Sequence, residues 1–164
     1  MPLKYHMAVK APKAKWLQTD ITRRILVQEY GIAVASIMTN VSSLAQEATP
    51  VDRGTARAAI ADEVVRGYSA TVFVRGRVYG RANAPHLPFL EYGTRPHWPP
   101  MDPIKKWAKR VLHDESAAYP VAWAISRRGT RAHHMFRNAW REVKPKVRPT
   151  LRVAHSIAVR RLKA

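Results

Sequence analysis

The sequence predicts an α+β fold: a long N-terminal helix, a small, mostly antiparallel sheet, and a helical C-terminal third. Three periodicities predict it. Between residues 20 and 48, Tyr30, Val34, Ile37, Met38, Val41, Leu44, Ala45 and Ala48 recur at three- and four-residue spacing, the single buried stripe of a helix. From residue 68 the period drops to two: Tyr68, Ala70, Val72 and Val74 alternate with Ser69, Thr71, Phe73 and Arg75, as in a half-buried strand. Beyond residue 101 the helical period returns in several short segments.

Taken in order, residues 1–17 are basic and hold Pro2 and Pro12, which reads as a loosely held arm preceding one domain over 18–164. Thr19 or Asp20 caps the long helix. Its 28 residues span ~42 Å at 1.5 Å each, against a radius of gyration of ~15 Å for a chain of this size. The helix therefore crosses the whole molecule or bends, with Gly31 as the place to bend. Thr49-Pro50 ends it, because a residue before proline is pushed out of the helical region. Ile60–Val65 then reads as a strand, Arg66-Gly67 as the hairpin turn, and Phe89–Tyr92 as a third strand. Six of the twelve prolines fall between residues 85 and 103, which predicts an ordered, irregular loop.

The C-terminal third is well punctuated. Asp102-Pro103 sets a capping carboxylate before a first-turn proline, and Ile104, Trp107, Ala108, Val111 and Leu112 form the apolar stripe. A second helix opens at Pro120 and stops at Arg127-Arg128-Gly129, cations on the negative end of the dipole followed by a glycine. Met135, Phe136, Ala139, Trp140 and Val143 give a third. Pro145 and Pro149 divide it from a fourth that carries Leu151, Ala154, Ile157, Ala158 and Leu162.

Composition narrows the function. The 164 residues are 46% hydrophobic and lack cysteine, which fits one cored domain and excludes disulfides, thiolate zinc sites and thiol nucleophiles. Lys and Arg number 29 against 11 Asp and Glu, a net charge of +18. Residues 101–164 hold 16 basic and 4 acidic side chains, so most of the excess lies there. Such a field favours polyanionic neighbours or an acidic protein surface. No apolar run reaches the ~18 residues of a membrane span, and the lysine-rich N-terminus does not look like a signal peptide. A protein working inside the cell that makes it, with no membrane partner, is expected.

No catalytic constellation emerges. Asp62-Glu63 and Asp114-Glu115 are adjacent pairs, which diverge on either a strand or a helix. His133-His134, His86 and His97 lack any metal-ligand spacing, and there is no nucleophile elbow or phosphate-binding glycine loop. The expectation is a non-enzymatic protein without cofactor or metal; a phosphodiester-cleaving enzyme would have to rest on Glu91 or His133-His134. Arg75, Arg77 and Arg81, read as lying on an exposed loop, and Arg152, Arg160 and Arg161 on the last helix are the candidate contacts for DNA or an acidic partner. Trp98, Trp107, Trp123 and Trp140 read as core and interface anchors rather than base-stacking platforms.

Three segments resemble a known family. Thr49-Pro50-Val51-Asp52-Arg53-Gly54-Thr55-Ala56-Arg57-Ala58-Ala59-Ile60 looks like the T-P-V-D-T-G-x-L-R-x-S-I signature of tail-completion or neck proteins of long-tailed phages. Phe89-Leu90-Glu91-Tyr92-Gly93-Thr94 resembles their following Y-V-E-F-G-T. Gly129-Thr130 with His134-Met135-Phe136-Arg137-Asn138-Ala139 resembles the closing G-T…P-F-L-R-P-A. Arg53, Ala56, Ala59 and Asn138 depart from the pattern.

Pro50, Asp52, Gly54, Arg57, Glu91, Tyr92, Gly93 and Thr94 read as fold-defining rather than catalytic. Asp52 accepts backbone N–H bonds in the turn, and Arg57 pairs with Glu91 to join the first strand to the third. The resemblance implies a fold like tail-terminator and tail-tube proteins. It further implies a ring, commonly hexameric, between the head connector or stopper and the tail terminator or tube. Such a ring is assembled in the host cytoplasm, resides in the virion at the head–tail junction, and passes DNA through its lumen without sequence specificity. A stand-alone basic nucleic-acid-binding protein is the rival reading, motivated by the +18 charge and the basic terminal helix.

Overall fold

The computed structural model describes residues 4–10, 19–68 and 72–164. It is α+β, with a long N-terminal helix, a three-stranded antiparallel sheet and a helical C-terminal part. The elements are β1 (Lys4–Lys10), α1 (Asp20–Glu47), α2 (Thr55–Ala58), β2 (Ile60–Tyr68), β3 (Val72–Gly80), α3 (Leu87–Tyr92), α4 (Met101–Val111), α5 (Ala118–Arg128) and α6 (Met135–Lys163).

Two long helices form the spine. Thr19 caps α1, its Oγ1 accepting from the Thr22 N–H at 3.4 Å. The start of α6 lies beside the end of α1, where Thr49 Oγ1 donates to Met135 Sδ, and its far end lies beside the start of α1, where Tyr30 meets His155. The two helices are thus antiparallel. The sheet, in order β1-β3-β2, packs one face against α1: Val74, Gly76 and Val78 of β3 are buried while Arg75 is exposed. A Cβ on Gly76 would stand 2.4 Å from Met38 Cγ, so this glycine lets the helix approach the sheet. Val34, Ile37, Met38, Val41, Val74, Val78, Leu87, Phe136 and Val143 make the core.

Several expectations need correction. Lys4–Lys10 is not a loose arm but an edge strand, paired with β3 from Lys4↔Tyr79 to Lys10↔Phe73, with Met7 and Val9 against the core. Residues 1–3 and 11–17 of that arm lie outside the described residues. Arg66-Gly67 is not the turn, because both belong to β2. Gly67 pairs with Phe73, whose ring would sit 2.6 Å from a Cβ there, so the glycine makes room for an aromatic. Residues 69–71, between β2 and β3 in the chain, fall outside the described residues. Arg75 and Arg77 are therefore strand residues, and Arg81 alone lies beyond the strand end.

Phe89–Tyr92 is helix, not strand. Leu87 and Glu91 are fully buried and Leu90 half-buried, which is helical spacing, and Pro88 sits in the first turn where its missing N–H costs nothing. Pro145 and Pro149 do not divide the last helix. Both prolines are exposed, as is Arg141, whose carbonyl Pro145 leaves free for water, and the stripe Val143, Val147, Leu151, Ala154, Ala158 runs through unbroken. Asp102 lies inside the first turn of α4, whose N-cap is Pro100, and α5 opens at Ala118. At Gly31 the helix continues without interruption, and a Cβ there would stand 2.4 Å from Arg66 Nε.

Candidate functional site

The second and third motif segments meet in two joints. Glu91, in α3, is fully buried, and its carboxylate accepts from the Phe136 and Arg137 backbone N–H groups at 2.9 and 3.1 Å. These are the second and third N–H groups of α6, normally satisfied by an N-cap side chain. The N-cap residue His134 supplies no such bond and has φ 51°. A carboxylate from another helix does that work, favoured by the positive end of the α6 dipole. The expected Arg57–Glu91 pair is not formed: Arg57 is exposed and donates to the Thr49 and Glu47 carbonyls at 3.4 and 3.5 Å. Arg57 thereby closes the end of α1.

Immediately after Glu91, Gly93-Thr94 crosses Gly129-Thr130. Thr94 N–H donates to the Thr130 carbonyl at 3.2 Å, and Thr130 N–H donates to Thr94 Oγ1 at 2.9 Å. Both glycines have φ 71°, and each faces the opposite backbone at a distance no Cβ tolerates: 2.4 Å to Thr130 O from Gly93, 1.9 Å to Thr94 O from Gly129. The two Gly-Thr pairs are one structural unit. Between them hangs the α4–α5 hairpin.

The first motif ties down that hairpin. Asp52 does not cap its own turn; its carboxylate forms a two-pronged ion pair with Arg110 of α4, Arg110 Nε donating to Oδ1 at 2.7 Å. The hydrogen bond from Arg110 holds the Asp52 carboxyl below the usual carboxylate range and raises Arg110 in turn. Gly54, at φ 75°, turns the chain into α2, while Pro50 is exposed.

Around the crossing lies an apolar surface. A groove of about 810 Å³ between α3, the 94–99 segment, α4 and α5 is lined by Phe89, Leu90, Pro99, Ile104, Trp107 and Ile125, with Arg95, Arg131 and His133 on the same lining. Nearby, Tyr92, Trp98, Tyr119 and Trp123 are each more than half exposed. Trp98 and Tyr119 meet edge to face at 5.9 Å, and Arg127 lies over Trp123. Trp107 and Trp140 are half-buried, so the four tryptophans divide between packing and open surface.

The candidate cations separate as well. Arg77 is paired with Glu63 at 2.9 Å and lies over Tyr79; Arg161 is paired with the buried Glu29 at 2.5 Å. Arg75 lies over Phe73, and Arg81, Arg152 and Arg160 are exposed. Sequence reasoning missed both Arg110 and Glu29, whose partners are 58 and 132 residues away.

Among the described residues, no helix is long and apolar enough to cross a membrane. Comparison with known protein families, curated proteins and solved structures finds no match.

Proposed function

We propose that the chain is a structural subunit of a phage neck, a ring of about six copies that joins the head connector or stopper to the tail terminator or tube. The observation that carries the reading is the set of exposed aromatics: Phe89 lines the groove, Tyr119 and Trp123 line a second pocket on α5, and Tyr92 and Trp98 are likewise more than half exposed. Surface tryptophan and tyrosine in such density are anchors of protein interfaces. Their location adds support. The segments that resemble neck proteins build the two joints and the Asp52–Arg110 tie that hold the α4–α5 hairpin, so the likeness falls on residues with one shared mechanical task. In this reading neighbouring copies cover the aromatics by a head-to-tail contact, which closes into a ring. The work is mechanical and electrostatic, and the duplex passes through the lumen.

Light scattering and negative-stain electron microscopy of the purified full chain test this. Ring particles of about six copies are expected. A chain that remains monomeric at tens of micromolar and is absent from virions overturns it.

A further inference from the structure

On α6 the exposed cations Arg137, Arg141, Lys144, Arg148 and Arg152 recur at steps of four, three, four and four residues. At ~100° and ~1.5 Å per residue they fall within an arc of about 80° along some 22 Å of helix. The buried residues Phe136, Val143 and Ala154 occupy a different face. Among the described residues none of the five side chains makes an ion pair or hydrogen bond, in contrast to Arg77, Arg110 and Arg161. Glu142, the one acid of α6, falls roughly 120° from the centre of the stripe. Like charges at i,i+4 repel and weaken a helix, so the stripe is an arrangement that a polyanion relieves.

We propose that this stripe is a sequence-independent contact for the phosphate backbone of duplex DNA. Four of the five cations are arginines, whose planar fork matches phosphate oxygens. Its length is about two-thirds of a ~34 Å duplex turn, along which the DNA carries a charge every ~1.7 Å. An acidic protein partner fits less well, because protein interfaces are centred on apolar anchors. The exposed large apolar residues of α6, Val153 and Ile157, lie outside the arc. Of the six cations singled out by sequence, only Arg152 belongs to the stripe. The inference deepens the neck reading by naming the surface that meets the duplex, and rests on that reading only for where the duplex runs.

The test uses the full chain and a fluorescein-labelled 30-base-pair duplex of mixed sequence, with anisotropy read from 50 to 250 mM NaCl. One variant changes all five stripe residues to glutamine. A charge-matched control changes Lys105, Lys106, Lys109, Arg128 and Lys146, all exposed and off the stripe, to glutamine. At about 0.9 per phosphate neutralised, the stripe variant loses about 3–4.5 from the slope of log affinity against log salt. The control loses less than half as much, and an unrelated duplex binds the wild type within two-fold. If the five-fold variant fails to fold by circular dichroism, Arg141→Gln with Arg148→Gln reads the same effect, a slope loss of about 1.8. Equal losses in stripe and control variants, or no duplex binding by the wild type at 50 mM salt, overturn the proposal. Light scattering on the same samples keeps the two readings apart. Rings with stripe-independent binding sink only the stripe, and stripe-dependent binding by a permanent monomer supports it while sinking the ring.

Discussion

The Glu91 carboxylate accepts hydrogen bonds from the Phe136 and Arg137 N–H groups at 2.9 and 3.1 Å, so the 29-residue helix α6 begins on a side chain supplied by α3. The donors lie 45 and 46 residues further along the chain. Removing the acceptor strands two helix-terminal donors, one of them buried. Cap loss costs ~0.5–2 kcal/mol, and hydrogen bonds to a charged group ~1.5–3 each. Glu91→Ala is therefore expected to destabilise the fold by about 2–4 kcal/mol in urea unfolding, and Glu91→Gln by less, since an amide oxygen still accepts. Equal stability of wild type and Glu91→Ala refutes the cap.

The Gly93–Gly129 crossing makes a sharper prediction. Both residues sit at φ 71°, and a Cβ on Gly129 would fall 1.9 Å from Thr94 O. Gly129→Ala adds backbone strain of ~1–3 kcal/mol and a clash with main chain, which cannot swing aside as a side chain would. A loss of more than about 2 kcal/mol is expected, together with faster hydrogen exchange at the Thr94 and Thr130 amides. Gly54, at φ 75° with nothing within 4 Å of a Cβ, provides the comparison: Gly54→Ala carries the strain without the clash and costs less.

Asp52 supplies a pH dependence. Its folded-state pKa is depressed, chiefly by the hydrogen bond from Arg110, so its contribution to stability is present above the unfolded pKa of ~3.9 and is lost as pH falls through the lower folded value. Asp114, depressed mainly by Ser116, acts in the same direction. Urea midpoints measured from pH 6 down to 2 are expected to fall below pH 4 in the wild type. In Arg110→Gln the fall is smaller and the Asp114 part remains. Both partners are well exposed, so the pair locates the hairpin more than it stabilises the fold.

How much of this was legible in the sequence follows from the range of each interaction. The stripe from Tyr30 to Ala48 and the alternation around Val72 and Val74 are local patterns, and both yield the right element. Phe89–Tyr92 misleads because two exposed aromatics resemble strand residues; only the cavity waiting for Leu87 and Glu91 decides for helix. Pro145 and Pro149 mislead because proline signals a break, yet here the freed carbonyl side faces solvent and packing against α1 carries the helix through. The motif pattern singles out Asp52, Gly54, Glu91, Gly93 and Thr94, yet the roles it suggests for Asp52 and Glu91, a turn cap and a pair with Arg57, are not the ones they have. Their partners were not legible, since Arg110 and the Phe136 amide adjoin them only after the chain has folded.

The proposed assembly surface gives the last prediction. Trp123 is 51% exposed on α5, contacted by Arg127 from its own helix, and is not among the residues of the main core. Truncating it removes little from the folded subunit but strips an aromatic anchor from any interface it enters, where single tryptophans cost 2 kcal/mol or more, about thirty-fold in affinity. Trp123→Ala is expected to keep the wild-type urea midpoint within about 0.5 kcal/mol of stability. The same substitution is expected to shift the ring-to-monomer midpoint by ten-fold or more in concentration. Phe136→Ala, by contrast, empties a fully buried site and costs ~3–5 kcal/mol in stability. Trp123→Ala that unfolds like Phe136→Ala, or that assembles like the wild type, removes the α5 face from the subunit interface.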